Sequence, residues 1–142
     1  MYRIINFPRI GMGDVGSLTF IEGQNHIPFN IRRIYYIYNI KKGEQRGRHA
    51  YKTIESLILA LNGQLELTLD NGYKRETIKL SRPDRGVYVP NMIWKELDNI
   101  SLDAVCLVLV SDYYREDDYI RDYATFLREA KAMKRHDVED FP

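Results

Sequence analysis

The stretch Ser56-Leu-Ile-Leu-Ala-Leu-Asn-Gly-Gln-Leu-Glu-Leu-Thr-Leu-Asp-Asn-Gly-Tyr-Lys-Arg-Glu-Thr-Ile-Lys-Leu80 decides the fold. Ser56 to Leu61 is an apolar run, and Asn62-Gly63 after it is a strong turn signal. Gln64 to Leu69 then alternates polar and apolar at a period of two, which puts every apolar side chain on one face of a strand. Asp70-Asn71-Gly72 is a hairpin turn, and Glu76 to Leu80 alternates again. Outward from this centre the strands continue. Toward the N-terminus, Ile31 to Tyr38 is rich in β-branched and aromatic residues with Arg interleaved, and Ser17 to Ile21 alternates in part before Glu22-Gly23. Toward the C-terminus, Gly86 to Val89 is a short strand stopped by Pro90, and Ala104 to Val110 reads as a buried strand. Many short strands separated by turn signals predict an all-β sandwich or barrel.

The period changes at the end of the chain. Tyr119, Ile120, Tyr123, Phe126, Leu127, Ala130 and Met133 follow helical spacing. Asp117 and Asp118 suit a helix N-terminus, and Lys131 and Lys134 suit the other end. The pattern predicts one amphipathic helix over about 117–134, packed on the β body, with a frayed tail over 135–142.

The chain has 142 residues, the size of a single domain, and its 44% apolar content supports a packed core. A net charge of +1 argues against nucleic-acid or membrane binding through bulk charge. The single cysteine, Cys106, lies in the buried-strand run and reads as a core thiol, so neither a disulfide framework nor a cysteine zinc cluster is expected. The sequence opens without a signal-peptide pattern and has no run of membrane-spanning length, so a cytoplasmic location is expected.

Three histidines are candidates for chemistry. His136 sits at the polar end of the predicted helix and reads as a surface residue, and His26 lies in the turn-rich Gly23-Gln-Asn-His-Ile-Pro28 and reads as structural. His49 stands apart, in Arg46-Gly-Arg-His-Ala-Tyr-Lys52, where nothing in the local pattern demands an imidazole. A histidine near neutral pKa is the usual general base. Arg32, Arg33, Arg46 and Arg48 fall in two nearby segments with Tyr35, Tyr36, Tyr38 and Tyr51 among them. Arginine forks bind phosphate and aromatic rings stack on a base or sugar, so a phosphorylated, ring-bearing ligand is suggested. A metal site needs several histidines and a carboxylate converging on one ion; here the position two after His49 is Tyr51, and no metal or other cofactor is expected. No hydrolase triad and no glycine-rich phosphate loop is legible.

The segments Gly16-Ser-Leu18, Ile27-Pro-Phe29, Arg33-Ile-Tyr-Tyr-Ile37, Arg46-Gly-Arg-His-Ala50, Leu61-Asn-Gly63, Gly86-Val-Tyr-Val89 and Trp94, with the run Ser111-Asp-Tyr-Tyr-Arg-Glu-Asp-Asp-Tyr-Ile-Arg121, carry a resemblance. The chain resembles the dTDP-4-keto-6-deoxyglucose 3,4-ketoisomerases, RmlC-like cupins of the WxcM-like family, from Ile5 to about Lys131. The resemblance implies an antiparallel cupin jelly roll and an isomerase of deoxyamino-sugar biosynthesis for surface polysaccharides such as lipopolysaccharide and S-layer glycans. It also implies a homodimer with exchanged N-terminal strands. His49 matches the family's catalytic base. Four site positions depart from the family pattern: Tyr51 replaces a second histidine, Ser56 a glutamine, and Lys95, after Trp94, a histidine or arginine. The fourth is Val15, before the glycine of Gly16-Ser-Leu18, where the family residue helps to set the C4 configuration.

The reaction so implied moves a carbonyl from C4 to C3 through an enediol. His49 is expected as the base, Tyr51 as acid or oxygen partner with a pKa lowered by nearby cations, and Lys95 as the charge that stabilises the enediolate. Arg33 and Arg46 are expected on the diphosphate, with Tyr35, Arg48, Val15, Ser56 and Trp94 completing the substrate pocket. Two other readings stay open at this stage: a divergent sugar-nucleotide epimerase, and a non-catalytic sugar-nucleotide binder.

Overall fold

The alternating centre of the chain supplies strands to two different sheets. The computed structural model describes residues 1–11 and 13–133. In chain order the elements are β1 (Arg3–Asn6), β2 (Arg9–Ile10), β3 (Leu18–Thr19), β4 (Arg33–Ile37), β5 (Arg46–Tyr51) and β6 (Ser56–Asn62). They continue with β7 (Leu65–Asp70), β8 (Arg75–Leu80), β9 (Arg85–Val89), β10 (Trp94–Asp98), β11 (Val105–Val110), β12 (Tyr119–Ile120) and the helix α1 (Tyr123–Ala132). One five-stranded sheet runs β1-β9-β6-β11-β4, and a second runs β12-β5-β10-β7-β8. A separate ribbon pairs β2 with β3. Every ladder is antiparallel, and the two large sheets face each other as a jelly roll.

The core follows from the period-two pattern. Ile58, Ala60, Val87, Val89, Cys106, Val108 and Val110 of the first sheet meet Tyr51, Leu65, Leu67, Leu69 and Leu97 of the second. Cys106 is fully buried there, and burial pushes its thiol up to about 12. Asp70-Asn71-Gly72 closes the β7–β8 hairpin, with Gly72 N–H donating to Asp70 Oδ1 at 2.7 Å. Asn62-Gly63 also turns the chain, but not into a hairpin, because β6 and β7 belong to different sheets. Gly63 has φ +68°, and a Cβ there would lie 2.5 Å from Ser101 Oγ.

Both outer faces have apolar covers. Phe7, Ile27 and Phe29 pack on Leu57, Leu59 and Leu109 of the first sheet. His26 belongs to this cover: its Nδ1 accepts from the Glu22 N–H at 2.8 Å, and its ring meets Phe7 and Phe20 edge-on. On the second sheet, α1 lays Phe126 and Ala130 over Ala50, Trp94 and Ile120.

The helix is shorter than its apolar spacing predicts. It begins at Tyr123, after the N-cap Asp122, whose carboxylate accepts from Thr125 N–H at 2.9 Å. Tyr119 and Ile120, which fit the helical spacing, instead pair as strand with Tyr51 and Ala50. Asp118 is the cause. Its buried carboxylate accepts from Thr53 N–H, Ile54 N–H and Thr53 Oγ1 at 3.2, 3.1 and 2.6 Å. The acid thus caps a neighbouring loop and pins the chain as strand where the sequence suggests a helix start. Lys134, the tail and His136 lie outside the described residues.

Candidate active site

The strand β5 owes its use to one irregularity. Lys95 of β10 stands opposite His49, while Leu97, two residues on, stands opposite Arg46, three residues back. The extra residue is accommodated at Gly47, whose φ of +69° suits glycine. This bulge lets Arg46 and His49, which strict alternation would put on opposite faces, border one cavity between the sheets. The cavity has a volume of about 590 Å³, within the range of small-ligand sites. Among the described residues five cations border it, Arg33, Arg46, Arg48, Lys95 and Arg121, and no carboxylate does.

His49 is 9% exposed, and its Nε2 has no hydrogen-bond partner among the described residues. A buried polar nitrogen without a partner costs about 1–3 kcal/mol, a cost that a polar group placed against Nε2 would offset. The ring is held between Tyr51 and Tyr119, with centroids 4.9 and 5.0 Å away. Burial, and then the charges of Lys95, Arg121 and Arg33, push its pKa down to about 2, so the imidazole is neutral. Lys95 is buried, with Nζ 4.2 Å from the centre of the Tyr51 ring and 3.5 Å from the Ile93 carbonyl. Burial pulls its pKa down to about 7, against the opposing charge of Asp118.

Tyr51 takes a different place from the one its spacing suggests. It shares the inward face with His49, yet it is 1% exposed and does not border the cavity. Its hydroxyl lies between those of Tyr35, at 3.2 Å, and Tyr119, at 3.3 Å. The expected lowering of its pKa is corrected: burial first, and then the two neighbouring phenols, raise it strongly, outweighing the nearby cations. Tyr35 and Tyr119 do border the cavity, and burial pushes Tyr35 up to about 12.

The structure brings together Arg33, Tyr35, Arg46, Arg48, His49 and Lys95. Besides Tyr51, it leaves three expected site residues apart. Trp94, next to Lys95 on β10, points to the opposite face, where it packs under α1 and donates to Glu96 Oε2 at 2.8 Å. Ser56 is buried in β6 away from the cavity, and its Oγ has no partner among the described residues. Val15 lies 85% exposed on a short turn and does not border the cavity of its own chain.

The sequence reading misses Tyr114, Tyr119 and Arg121 as site residues. Arg121 stacks over the Tyr119 ring at 4.4 Å and is held by two bonds to Glu116. Arg33 lies over the rings of Tyr35 and Tyr114, at 5.3 and 5.5 Å, with its buried Nε also unpaired. The signal was present: these residues sit in the most specific stretch of the family resemblance, from Ser111 to Arg121.

The family model described as WxcM-like, C-terminal (FdtA) matches residues 1–131. The chain belongs to the WxcM-like family. This WxcM-like chain is 44% identical over 124 residues to a TDP-4-oxo-6-deoxy-alpha-D-glucose-3,4-oxoisomerase of Aneurinibacillus thermoaerophilus, covering 87% of this chain and 88% of that one. Among solved structures, a 3,4-ketoisomerase from Helicobacter canadensis superposes with a TM-score of 0.88 at 42% identity, over 92% of this chain and 97% of that one. A histidine-to-asparagine variant of the 3,4-ketoisomerase QdtA from Thermoanaerobacterium thermosaccharolyticum, in complex with TDP-4-keto-6-deoxyglucose, superposes with a TM-score of 0.90. That match is 36% identical and covers 94% of this chain and 96% of the other.

Proposed function

We propose that this WxcM-like chain is a 3,4-ketoisomerase that converts dTDP-4-keto-6-deoxyglucose to a dTDP-3-keto-6-deoxyhexose. The observation that carries the reading is the neutral His49 imidazole, its Nε2 unpaired among the described residues, in a cavity that these residues border with five cations and no acid. The relatives named for this reaction supply the substrate class.

The arrangement suits proton transfer beside a carbonyl. His49 takes the proton from C3, the C3–H electron pair forms the C3=C4 bond, and charge develops on O4. The Lys95 ammonium and the surrounding cations stabilise that charge in a site of low dielectric. The phenols around Tyr51 supply and recover the hydroxyl proton. His49 then returns a proton to C4 while O3 becomes the carbonyl, so atoms and electrons balance with no cofactor. The arginine forks of Arg33, Arg46 and Arg48 hold the diphosphate. With Trp94 and Ser56 outside the cavity, their part is to support the two sheets that border it, Trp94 in the second and Ser56 in the first. An epimerase would use the same first step, but it has no need of a protonated neighbour at both O3 and O4.

The protein is further proposed to act as a homodimer with exchanged N-terminal strands, in the cytoplasm, on the route to lipopolysaccharide or S-layer deoxyamino sugars. Among the described residues no helix is long and apolar enough to cross a membrane.

The direct test is proton NMR of the protein with dTDP-4-keto-6-deoxyglucose in deuterated water, beside His49→Asn. The expected result is a 3-keto product carrying deuterium at C4, with the rate lowered by about 10² or more in the variant. Deuterium at C3 or C5 without carbonyl migration identifies an epimerase. Binding of dTDP without any exchange identifies a binder and removes the enzyme reading.

A further inference from the structure

We infer that Lys95 is a carbon dioxide acceptor, its Nζ taking up CO2 reversibly as a carbamate whose negative charge occupies the cavity and competes with the diphosphate of the substrate. The uptake stands apart from the ketoisomerase reading; only its effect on dTDP binding rests on that reading.

The setting of the amine makes the case. Lys95 is 4% exposed and borders the cavity. Among the described residues the ion pairs belong to Arg75, Arg82, Arg115 and Arg121, and Lys95 makes none. Its Nζ donates one long hydrogen bond, to the Ile93 carbonyl at 3.5 Å. A buried ammonium without a counter-ion is costly, so this lysine gives up its proton at about 7 and presents a free, nucleophilic amine. The groups around it share in that effect. On β5, His49 stands opposite Lys95 and the Tyr51 ring centre lies 4.2 Å from Nζ. On β7 the facing residue is the apolar Leu69. Arg33 of β4 and Arg121 border the same cavity, and Asp118, just before β12, supplies an opposing charge.

The cavity favours the product of the uptake. Arg33, Arg46, Arg48 and Arg121 border it, and among the described residues no carboxylate does. Carbamate formation turns Lys95 from a fifth positive group into an anion among four guanidiniums, which replaces repulsion by attraction. A carbamate has the planar, two-oxygen shape that arginine forks bind. Two buried nitrogens of the same cavity, His49 Nε2 and Arg33 Nε, have no partner among the described residues. Facing Cβ atoms in such a ladder lie about 4.5–5.5 Å apart, so a group on the Lys95 side chain grows beside the His49 ring.

The step balances. The Nζ lone pair attacks the carbon of CO2, one C–O π pair moves onto oxygen, and a proton leaves Nζ for solvent. A C–N bond forms and nothing is oxidised or reduced. Return of the proton breaks that bond and releases CO2. While it lasts, the carbamate takes the arginines from the diphosphate and removes the Lys95 ammonium.

The test records carbon NMR of the protein with isotope-labelled bicarbonate at about pH 8, beside Lys95→Arg, whose guanidinium stays protonated and forms no carbamate. The expected result is a carbamate resonance in the wild type that is missing from the variant and fades when dTDP is added. Calorimetry should agree. With half of the lysine carbamylated, the apparent Kd for dTDP rises about twofold in the wild type, and bicarbonate leaves it unmoved in Lys95→Arg. Identical spectra of the two proteins overturn the inference. Equal weakening of dTDP in both shows bicarbonate acting as a plain anion and overturns the competition. If Lys95→Arg does not fold, alkylation of the wild type with a trialkyloxonium salt fixes the carbamate for peptide mass spectrometry, and an unlabelled Lys95 overturns the assignment. A wild type that shows the Lys95 carbamate but binds no dTDP upholds the uptake and removes the functional reading.

Discussion

At the scale of single residues, the site turns on two buried bases in the same ladder, His49 and Lys95. Both lose their protons more readily than usual because burial disfavours their charged forms. For His49 this is helpful, since a base must start neutral. For Lys95 it sets a limit, because the proposed role needs the ammonium. In the free protein that charge is lost as pH rises through about 7. Hence kcat/KM, which reports the free enzyme, should fall above about pH 7 by up to tenfold per unit. Lys95→Arg keeps its charge and should lose that alkaline limb; a wild-type profile flat to about pH 9 would sink the role. Stability moves the other way. An unfolded lysine holds its proton to about 10.5 and the folded one releases it at about 7. The unfolded state therefore binds more protons between those values, and stability rises with pH there, by at most about 1.4 kcal/mol per unit. Thermal melts of wild type and Lys95→Met between pH 7 and 10 check this, with the slope expected only in the wild type. His49, Arg33, Arg46 and Arg48 are legible in the sequence because their chemistry stands out from their strands, and Lys95 is reached through the family resemblance at Trp94. Tyr119 is not legible, because its spacing to Tyr123 and Phe126 mimics a helix face.

At the scale of elements, what sequence hides is irregularity. The regular strands β6, β7, β8 and β11 are legible because alternation and turn residues agree in them. The turn at Asn62-Gly63 is legible as a turn, but not as a crossing between sheets, because local chemistry does not state which partner a strand will take. The C-terminal segment is misread as helix up to Tyr123 because the three-way capping by Asp118 is a tertiary contact, made with residues over sixty positions away. The Gly47 bulge is the irregularity that matters most to function, since it aims Arg46 and His49 at the same ligand. Gly47→Ala would put a side chain at φ +69°, and its Cβ would meet Leu97 Cγ at 3.4 Å. The left-handed conformation costs a non-glycine residue about 1–2 kcal/mol, which either destabilises the fold or flattens the bulge. The expected outcome is a lowered melting temperature with KM for the dTDP-sugar raised several-fold and kcat less affected. An unchanged KM in a properly folded variant would show that the bulge does not position the arginine.

At the scale of the whole molecule, the two sheets are covered unequally. The helix closes the outside of the second sheet, burying Trp94 and Ala50. The cover on the first sheet stops part-way. Ile34 and Tyr36 of β4 and Leu61 of β6 are 56%, 59% and 48% exposed. Beside them the β2–β3 ribbon presents Ile10 and Leu18, and a hollow of about 670 Å³ bordered by Thr19, Ile21, Leu59, Leu61 and Leu107 separates ribbon from sheet. Apolar surface of this extent next to an edge strand is unusual for a monomer, and in the proposed dimer a second copy would cover both with its own N-terminal segment. The dimer that the family resemblance implies is thus proposed to close this face. Light scattering of the wild type should give twice the chain mass. Leu61→Glu and Leu18→Glu each place a charge in that interface, and each should shift the mass toward one chain while circular dichroism keeps its β spectrum. A wild-type monomer would remove the exchanged-strand arrangement. A dimer indifferent to both charges would keep the oligomer but move its interface to another face, leaving the apolar outer side of the first sheet without an occupant.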